Sequence, residues 1–291
     1  MLSAVLKRKG ISRGVSREVS RGCASLISQA RGMLEGLGDG EVTLEKDVTS
    51  GVATITLRNE RRKNALSGRM MVQLADITHE LTHWAEGKAV VLTSEGDTFC
   101  SGGDLTTVKA ICDPDSGLLM STLMHDALTR LYTLPHLTLT LVHGAALGGG
   151  AELTTATDFR VFTETGVVGF VQGRMGVTTG WGGGTRLVKL LGPSATLDLL
   201  TTCRKIDHKA AVNIGLADYV VASEGRNDAA LGWLSERIGH ATEVVQAAKR
   251  IAVAARDLPV TEALSVERGV FAPLWGGPAN LRALGKNIKH K

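Results

Sequence analysis

Two glycine-rich turns hold the residue types most able to do chemistry: Phe99-Cys100-Ser101-Gly102-Gly103-Asp104-Leu105, and the run His143-Gly144-Ala145-Ala146-Leu147-Gly148-Gly149-Gly150-Ala151-Glu152-Leu153. Glycines let a ligand approach the main chain, and at the start of a helix they leave N–H groups unpaired and facing that ligand. Two such turns beyond neighbouring strands could converge their N–H groups on one oxygen, the geometry that stabilises an oxyanion. Taken singly, each turn reads equally well as a tight strand-to-loop junction. The carboxylate of Glu152, three residues after Gly149, adds a titratable group to the second turn. Cys100 has no histidine neighbour in sequence and reads as a small buried residue rather than a nucleophile.

A third pattern, His79-Glu80-Leu81-Thr82-His83, matches the zinc-protease signature HExxH. Helix geometry argues against a metal centre. The apolar residues Met70, Leu74, Ile77, Leu81 and Trp84 step by three and four and define one buried stripe. At 100° per residue, His79 and His83 fall about 180° and 220° from Met70, on the opposite face. No third ligand is evident. The fingerprints GxGxxG, GxxxxGK[ST] and GxSxG are absent from the sequence, so dinucleotide oxidoreductases, P-loop NTPases and ordinary serine hydrolases lose their usual support.

The elements that must position these turns are legible in outline. The chain has 291 residues, 43% hydrophobic and 21% charged, enough for a large core and too apolar for disorder. Strands are expected at Val42–Glu45, Val52–Leu57, Ala89–Thr93, Leu137–Val142, Asp158–Phe162 and Tyr219–Ala222. Helices are expected over about 67–85, 117–132 and 149–157, and almost throughout from Gly182, with Pro193 at a first helical position and Asp207 as an N-cap. That alternation predicts an α/β layout with parallel strands, followed by a helical C-terminal region.

Charge and cysteine usage narrow the partners. The whole chain has 33 basic and 29 acidic residues; the first forty hold seven and three, leaving 26 of each beyond them. A neutral body argues against nucleic acid. The last eleven residues carry Arg282, Lys286, Lys289 and Lys291 without an acid, which fits a solvated helix end or a phosphate-facing tail. Four cysteines without CxxC spacing favour a reducing compartment. The longest uncharged run, Leu131 to Ala151, contains Pro135, two histidines and four glycines and is no membrane span. Residues 1–38 read as a flexible basic leader: a disordered cytosolic segment or an Arg/Ser-rich mitochondrial transit peptide.

FCSGGDL together with HGAALGGGAEL closely resembles the enoyl-CoA hydratase/isomerase (crotonase) superfamily, over roughly residues 40–291. Arg62-Lys63-Asn64-Ala65-Leu66, MGVTTGWGGGTRL at 175–187 and NIGLADYVV at 213–221 support it. LWGGPANLRAL at 274–284 and the Trp181 segment are most similar to the branch that decarboxylates ethylmalonyl-CoA and, more weakly, methylmalonyl-CoA, a metabolite-repair activity. The resemblance implies a ClpP-like α/β fold with a β-β-α-type spiral core over 39–200. It also implies a helical region, 201–291, that packs across subunits of a homotrimer or a dimer of trimers. The substrate would be an acyl-CoA thioester, with coenzyme A as part of it and no separate cofactor, metal, nucleic acid or membrane partner. The cytosol is the implied compartment.

Carried over by position, the resemblance assigns the backbone N–H groups of Ser101 and Gly149 to the thioester oxygen, with Gly102, Asp104, Leu105 and Gly148 shaping the same turns. Lys63, Asn64, Ala65 and Leu66 would line the coenzyme A entrance, and Gly102, Asp104, Leu105, Gly148 and Trp181 would also bind the substrate. Glu152 stands where hydratases carry one catalytic glutamate. The other belongs four residues before Gly176, and that residue is Gln172. An amide exchanges no proton at neutral pH, so hydration, which needs two acid–base groups, is disfavoured. The alternative is a hydratase or isomerase working through Glu152 alone. Loss of CO2 beside a thioester leaves an enolate, and two preorganised donors are each worth about 3–4 kcal/mol at that moment. Val171, Val177 and Trp181 could wall a poorly solvated carboxylate pocket. Glu152 could protonate the enolate, position the substrate or repel its carboxylate. Gln172 fits a loop hydrogen bond equally well, and Trp181 fits core packing.

Overall fold

The computed structural model describes residues 13–286. In chain order the elements are α1 (Arg13–Leu34), β1 (Glu41–Asp47), β2 (Val52–Arg58), α2 (Gly68–Leu81), β3 (Ala89–Ser94), α3 (Leu105–Ala110), α4 (Pro114–Thr133), β4 (Leu137–Val142), β5 (Ala145–Leu147) and α5 (Gly149–Thr154). They continue with β6 (Phe159–Thr163), β7 (Val167–Gly169), α6 (Gly183–Thr202), β8 (Ile206–Asp207), α7 (His208–Asn213), β9 (Tyr219–Val221), α8 (Arg226–Ser235), α9 (Thr242–Asp257), α10 (Val260–Phe271) and α11 (Pro278–Leu284).

The main sheet has the order β1-β2-β3-β4-β6-β9, antiparallel at its first pair and parallel thereafter. Alternate residues of β3 explain why AVVLT reads as an unbroken apolar run. Val90 and Leu92 pack into the core beneath α2 and α4, whereas Ala89 and Val91 join Leu139, Leu141, Val161, Ala230, Leu234 and Val245 under α8 and α9. Both faces of the sheet are covered, as a parallel sheet requires. The five residues of the expected helical stripe, Met70 to Trp84, are all buried, and His79 and His83 are exposed. Ser67 caps α2 by accepting from the Met70 N–H at 3.2 Å, and Asp207 caps α7 by accepting from Ala210. Gly192, at φ 78°, breaks α6 just before Pro193.

Three features differ from the sequence reading. The leader expected over 1–38 is not flexible along its second half: α1 packs on α4 and α2, and Ala30 and Leu34 are fully buried. Its apolar positions Ile27, Ala30, Leu34 and Leu37 are spaced by three and four, a stripe that the Arg/Ser-rich composition obscures. Residues 1–12 lie outside the described residues. A second sheet, β5-β7-β8, was not expected, because strands of three, three and two residues carry no periodicity. Finally, β8 and β9 belong to the two sheets, so the α/β core continues past residue 200 to Val221 and the helical region starts at Arg226.

Candidate active site

The β3–α3 turn is held between two neighbouring segments by main-chain bonds. Cys100 donates to the Ala145 carbonyl at 3.0 Å and accepts from Leu147 at 2.9 Å, which ties it to β5. On its other side Leu66 donates to Gly102 O and Asp104 donates to Leu66 O, each at 2.8 Å. Gly102 sits at φ +112°, a region closed to side-chain-bearing residues, and a methyl there would lie 3.4 Å from the Gly149 nitrogen. The two glycine turns therefore meet, as expected.

Which amides are available is a correction. The N–H of Ser101 donates to the Lys63 carbonyl at 3.0 Å, and its hydroxyl to the Arg62 carbonyl at 3.2 Å. Ser101 lines the cleft but has no free main-chain donor to give. Two residues on, no acceptor among the described residues pairs the N–H of Gly103, and none pairs that of Gly149 at the start of α5. The indole of Trp181 borders both. A methyl on Gly149 would fall 2.2 Å from its Cζ3, and one on Gly103 would fall 3.9 Å from its Cζ2.

Glu152 is 2% exposed, and a carboxylate so buried must find donors. It has four. Gln172 Nε2 and the Gly180 N–H donate to Oε1 at 2.9 and 3.2 Å; the N–H groups of Trp181 and Gly183 donate to Oε2, both at 2.8 Å. All the lone-pair sites of the carboxylate are engaged. Its counter-charge is Arg186, which donates to Thr155 Oγ1 at 3.0 Å and to the Trp181 carbonyl at 2.7 Å. Burial lowers the Arg186 guanidinium to about 10, with Glu152 opposing that shift. Burial likewise pushes the Cys100 thiol up to about 12, so it stays protonated and inert.

Glu152, Gln172, Gly180 and Trp181 line one cleft of about 800 Å³, with Arg186 and Cys100 buried behind it. The structure brings together Ala65, Ser101, Gly102, Asp104, Leu105, Gly148, Gly149, Glu152, Gln172 and Trp181, along with the apolar Val171 and Val177. Lys63, Asn64 and Leu66 do not line it. Asn64 is a buried staple that accepts from Asn59 N at 2.8 Å and donates to the carbonyls of Glu95 and Thr98. Leu66 is fully buried, and its main chain is spent on the Gly102 turn. Asp104 caps α3 through the N–H groups of Thr106 and Thr107. Sequence reasoning missed Gly103, Val108 and Met120. Gly103 stands in the quoted motif, but nothing in its spacing separates its amide from that of Ser101. Met120 lies on α4, whose pattern reads simply as a packed helix.

The enoyl-CoA hydratase/isomerase family pattern matches residues 47–275. The chain is 44% identical to the ethylmalonyl-CoA decarboxylase of Danio rerio, over 87% of this chain and 85% of that protein. It is 38% identical to the Homo sapiens protein of that name, over 99% and 97%. Among solved structures, an enoyl-CoA hydratase from Bacillus anthracis superposes with a TM-score of 0.78 at 26% identity, covering 84% of this chain and 94% of that one. A Thermobifida fusca chain solved in complex with CoA superposes with a TM-score of 0.72 at 25% identity, covering 85% and 95%. Two interlocked glycine turns, a buried glutamate beside them and a family match across most of the sequence lead to one conclusion: the chain belongs to the enoyl-CoA hydratase/isomerase family.

Proposed function

We propose that this chain decarboxylates ethylmalonyl-CoA to butyryl-CoA and, more weakly, methylmalonyl-CoA to propionyl-CoA, as a metabolite-repair enzyme. The relatives named ethylmalonyl-CoA decarboxylase support that substrate. The observation that carries the chemistry is the state of Glu152. Both its oxygens are occupied by N–H donors, and its side-chain neighbour is the amide Gln172. Hydration needs two carboxyl groups free to move protons, whereas the cleft offers two unpaired main-chain N–H groups.

Those donors fit an enolate. As the bond from the α-carbon to the carboxylate breaks, its electron pair delocalises onto the thioester oxygen. There the N–H groups of Gly103 and Gly149 would each contribute about 3–4 kcal/mol. A proton then adds at the α-carbon and completes the acyl-CoA. Glu152 acts by holding the loop of Gly180 to Gly183, and Val171 and Trp181 keep the departing carboxylate away from water, whereas Val177, expected as a third wall, is exposed. Ala65, with Arg62 beside it, lines the side where coenzyme A would enter. Exposed Val260, Leu264, Phe271 and Trp275 form an apolar face that supports a homotrimer or a dimer of trimers. Free Cys100, Cys112 and Cys203 support a reducing compartment, the cytosol before the mitochondrial matrix. No helix among the described residues is long and apolar enough to cross a membrane. The test is incubation with ethylmalonyl-CoA and with crotonyl-CoA, following products by mass spectrometry. Butyryl-CoA formation from ethylmalonyl-CoA supports the proposal, and rapid hydration of crotonyl-CoA with no CO2 released from ethylmalonyl-CoA overturns it.

A further inference from the structure

Trp181 is 4% exposed, yet it lines the cleft beside both Gly149 and Gly103. The benzo edge of the indole, Cζ3, Cη2 and Cε3, occupies the space where a methyl on Gly149 would stand, at 2.2, 2.5 and 2.8 Å from that position. The same ring reaches the Gly103 side through Cζ2, where Val108 Cγ2 closes the remaining gap at 3.3 Å from a methyl placed on Gly103. Three attachments fix its pose. The main-chain N–H donates to Glu152 Oε2 at 2.8 Å, the carbonyl accepts from Arg186 at 2.7 Å, and the indole Nε1–H points at Met120 Sδ at 2.9 Å. Glu152 and Arg186 are both buried, so these two tethers are shielded from solvent.

We infer that Trp181 sets the size of the α-substituent the site accepts. The inference rests on the decarboxylase reading above. In a 2-carboxyacyl thioester the α-carbon is bonded to the carbon whose oxygen the two glycine amides would hold. Its substituent therefore lies within a few bonds of those amides, in the space the indole bounds. With its main chain held by Glu152 and Arg186 and its ring by Met120 and the packing around it, the wall has little room to retreat for extra methylenes, because packed interiors yield little. A substituent too short leaves a void against the same wall. One methylene in such a pocket changes kcat/KM by about 10- to 200-fold. Two of the three tethers use the main chain of residue 181, so a smaller side chain there keeps the loop in place while vacating the benzo edge. That separates Trp181 from Glu152 and Arg186, whose side chains hold the main chain of the loop itself.

The experiment compares methyl-, ethyl-, propyl- and butylmalonyl-CoA on the wild-type full chain, Trp181→Phe and Met120→Ala, measuring kcat/KM for acyl-CoA formation. In Trp181→Phe the propyl-to-ethyl ratio is expected to rise at least about tenfold, and the ethyl rate to change by less than that ratio. Met120→Ala frees Nε1 and opens the far side of the ring, so the ratio is expected to rise in the same direction. It carries the test if Trp181→Phe loses its circular dichroism signature. Rates that fall together, with ratios within about twofold of wild type, would reduce Trp181 to packing and overturn the inference. A wild-type protein that releases CO2 from none of the four thioesters sinks the decarboxylase reading and this inference with it. An active wild type with unmoved ratios sinks the inference alone.

Discussion

Replacing Glu152 by Gln separates an anchoring role from a proton-transferring one. The change turns one carboxylate oxygen into an NH2 that must face donors. Facing Oε2's partners would set it against two short main-chain contacts, from Trp181 and Gly183. Facing Oε1's partners costs less: the Gly180 contact is the longest of the four, and Gln172, whose Oε1 has no partner among the described residues, can turn its amide to accept. The remaining loss is one charge-assisted bond, about 1.5–3 kcal/mol, plus the counter-charge of the buried Arg186. Removing one member of a buried charge pair costs about 3–5 kcal/mol, so the same range is expected for Glu152→Gln. Against a domain's usual 5–15 kcal/mol this is a large fraction, readable as a lower urea midpoint with unchanged slope. The folded fraction should keep its decarboxylation rate within about tenfold, since an anchor moves no proton, whereas losing a proton-transfer group costs about 100-fold or more. Stability within about 1 kcal/mol of wild type, combined with a rate loss beyond about 100-fold, would refute the anchoring argument.

Three further outcomes follow from the same geometry. Gly103→Ala places its methyl 3.3 Å from Val108 Cγ2 and 3.9 Å from the indole and should hold activity within about tenfold; Gly103→Pro removes the N–H and should lower kcat about 100- to 1,000-fold. Equal losses in the two variants would count against Gly103 as a donor. Gly149→Ala drives a methyl to 2.2 Å from Trp181 Cζ3, so a loss of at least about 100-fold in kcat/KM should accompany a shift in tryptophan fluorescence. Burial, assisted by the Arg226 cation, lowers His143 from 6.5 to about 4 in the folded chain. The unfolded chain therefore binds the extra proton first, and stability should decline as pH falls from about 6.5 to about 4, by about 3 kcal/mol over the window. Urea titrations at pH 7 and 4.5 check this, and His143→Gln should flatten the difference.

Much of this site could be read from the chain alone, for local reasons. Gly102 lies just before α3 and Gly149 opens α5, each among glycine neighbours, and the stripe from Met70 to Trp84 has the period of the helix it forms. The errors are non-local. Whether Ser101 or Gly103 has a free amide depends on the segment at residues 62–66 crossing beside it, and a Lys63 carbonyl accepting from Ser101 leaves no trace in spacing. Asn64 looked like an entrance residue because the motif places it there, but its partners, Glu95 and Thr98, lie more than thirty positions away. The buried half of α1 was hidden by its arginines and serines, since composition averages over a face that packing selects.

The bonds that join Cys100 to Ala145 and Leu147, and Leu66 to Gly102 and Asp104, run entirely from backbone to backbone. The spacing of the Gly103 and Gly149 amides thus rests on bonds that exchange of a non-glycine side chain in that ladder leaves in place. Warming the enzyme should accordingly leave it competent until these isolated bridges let go, so that turnover serves as a thermometer for the integrity of this seam.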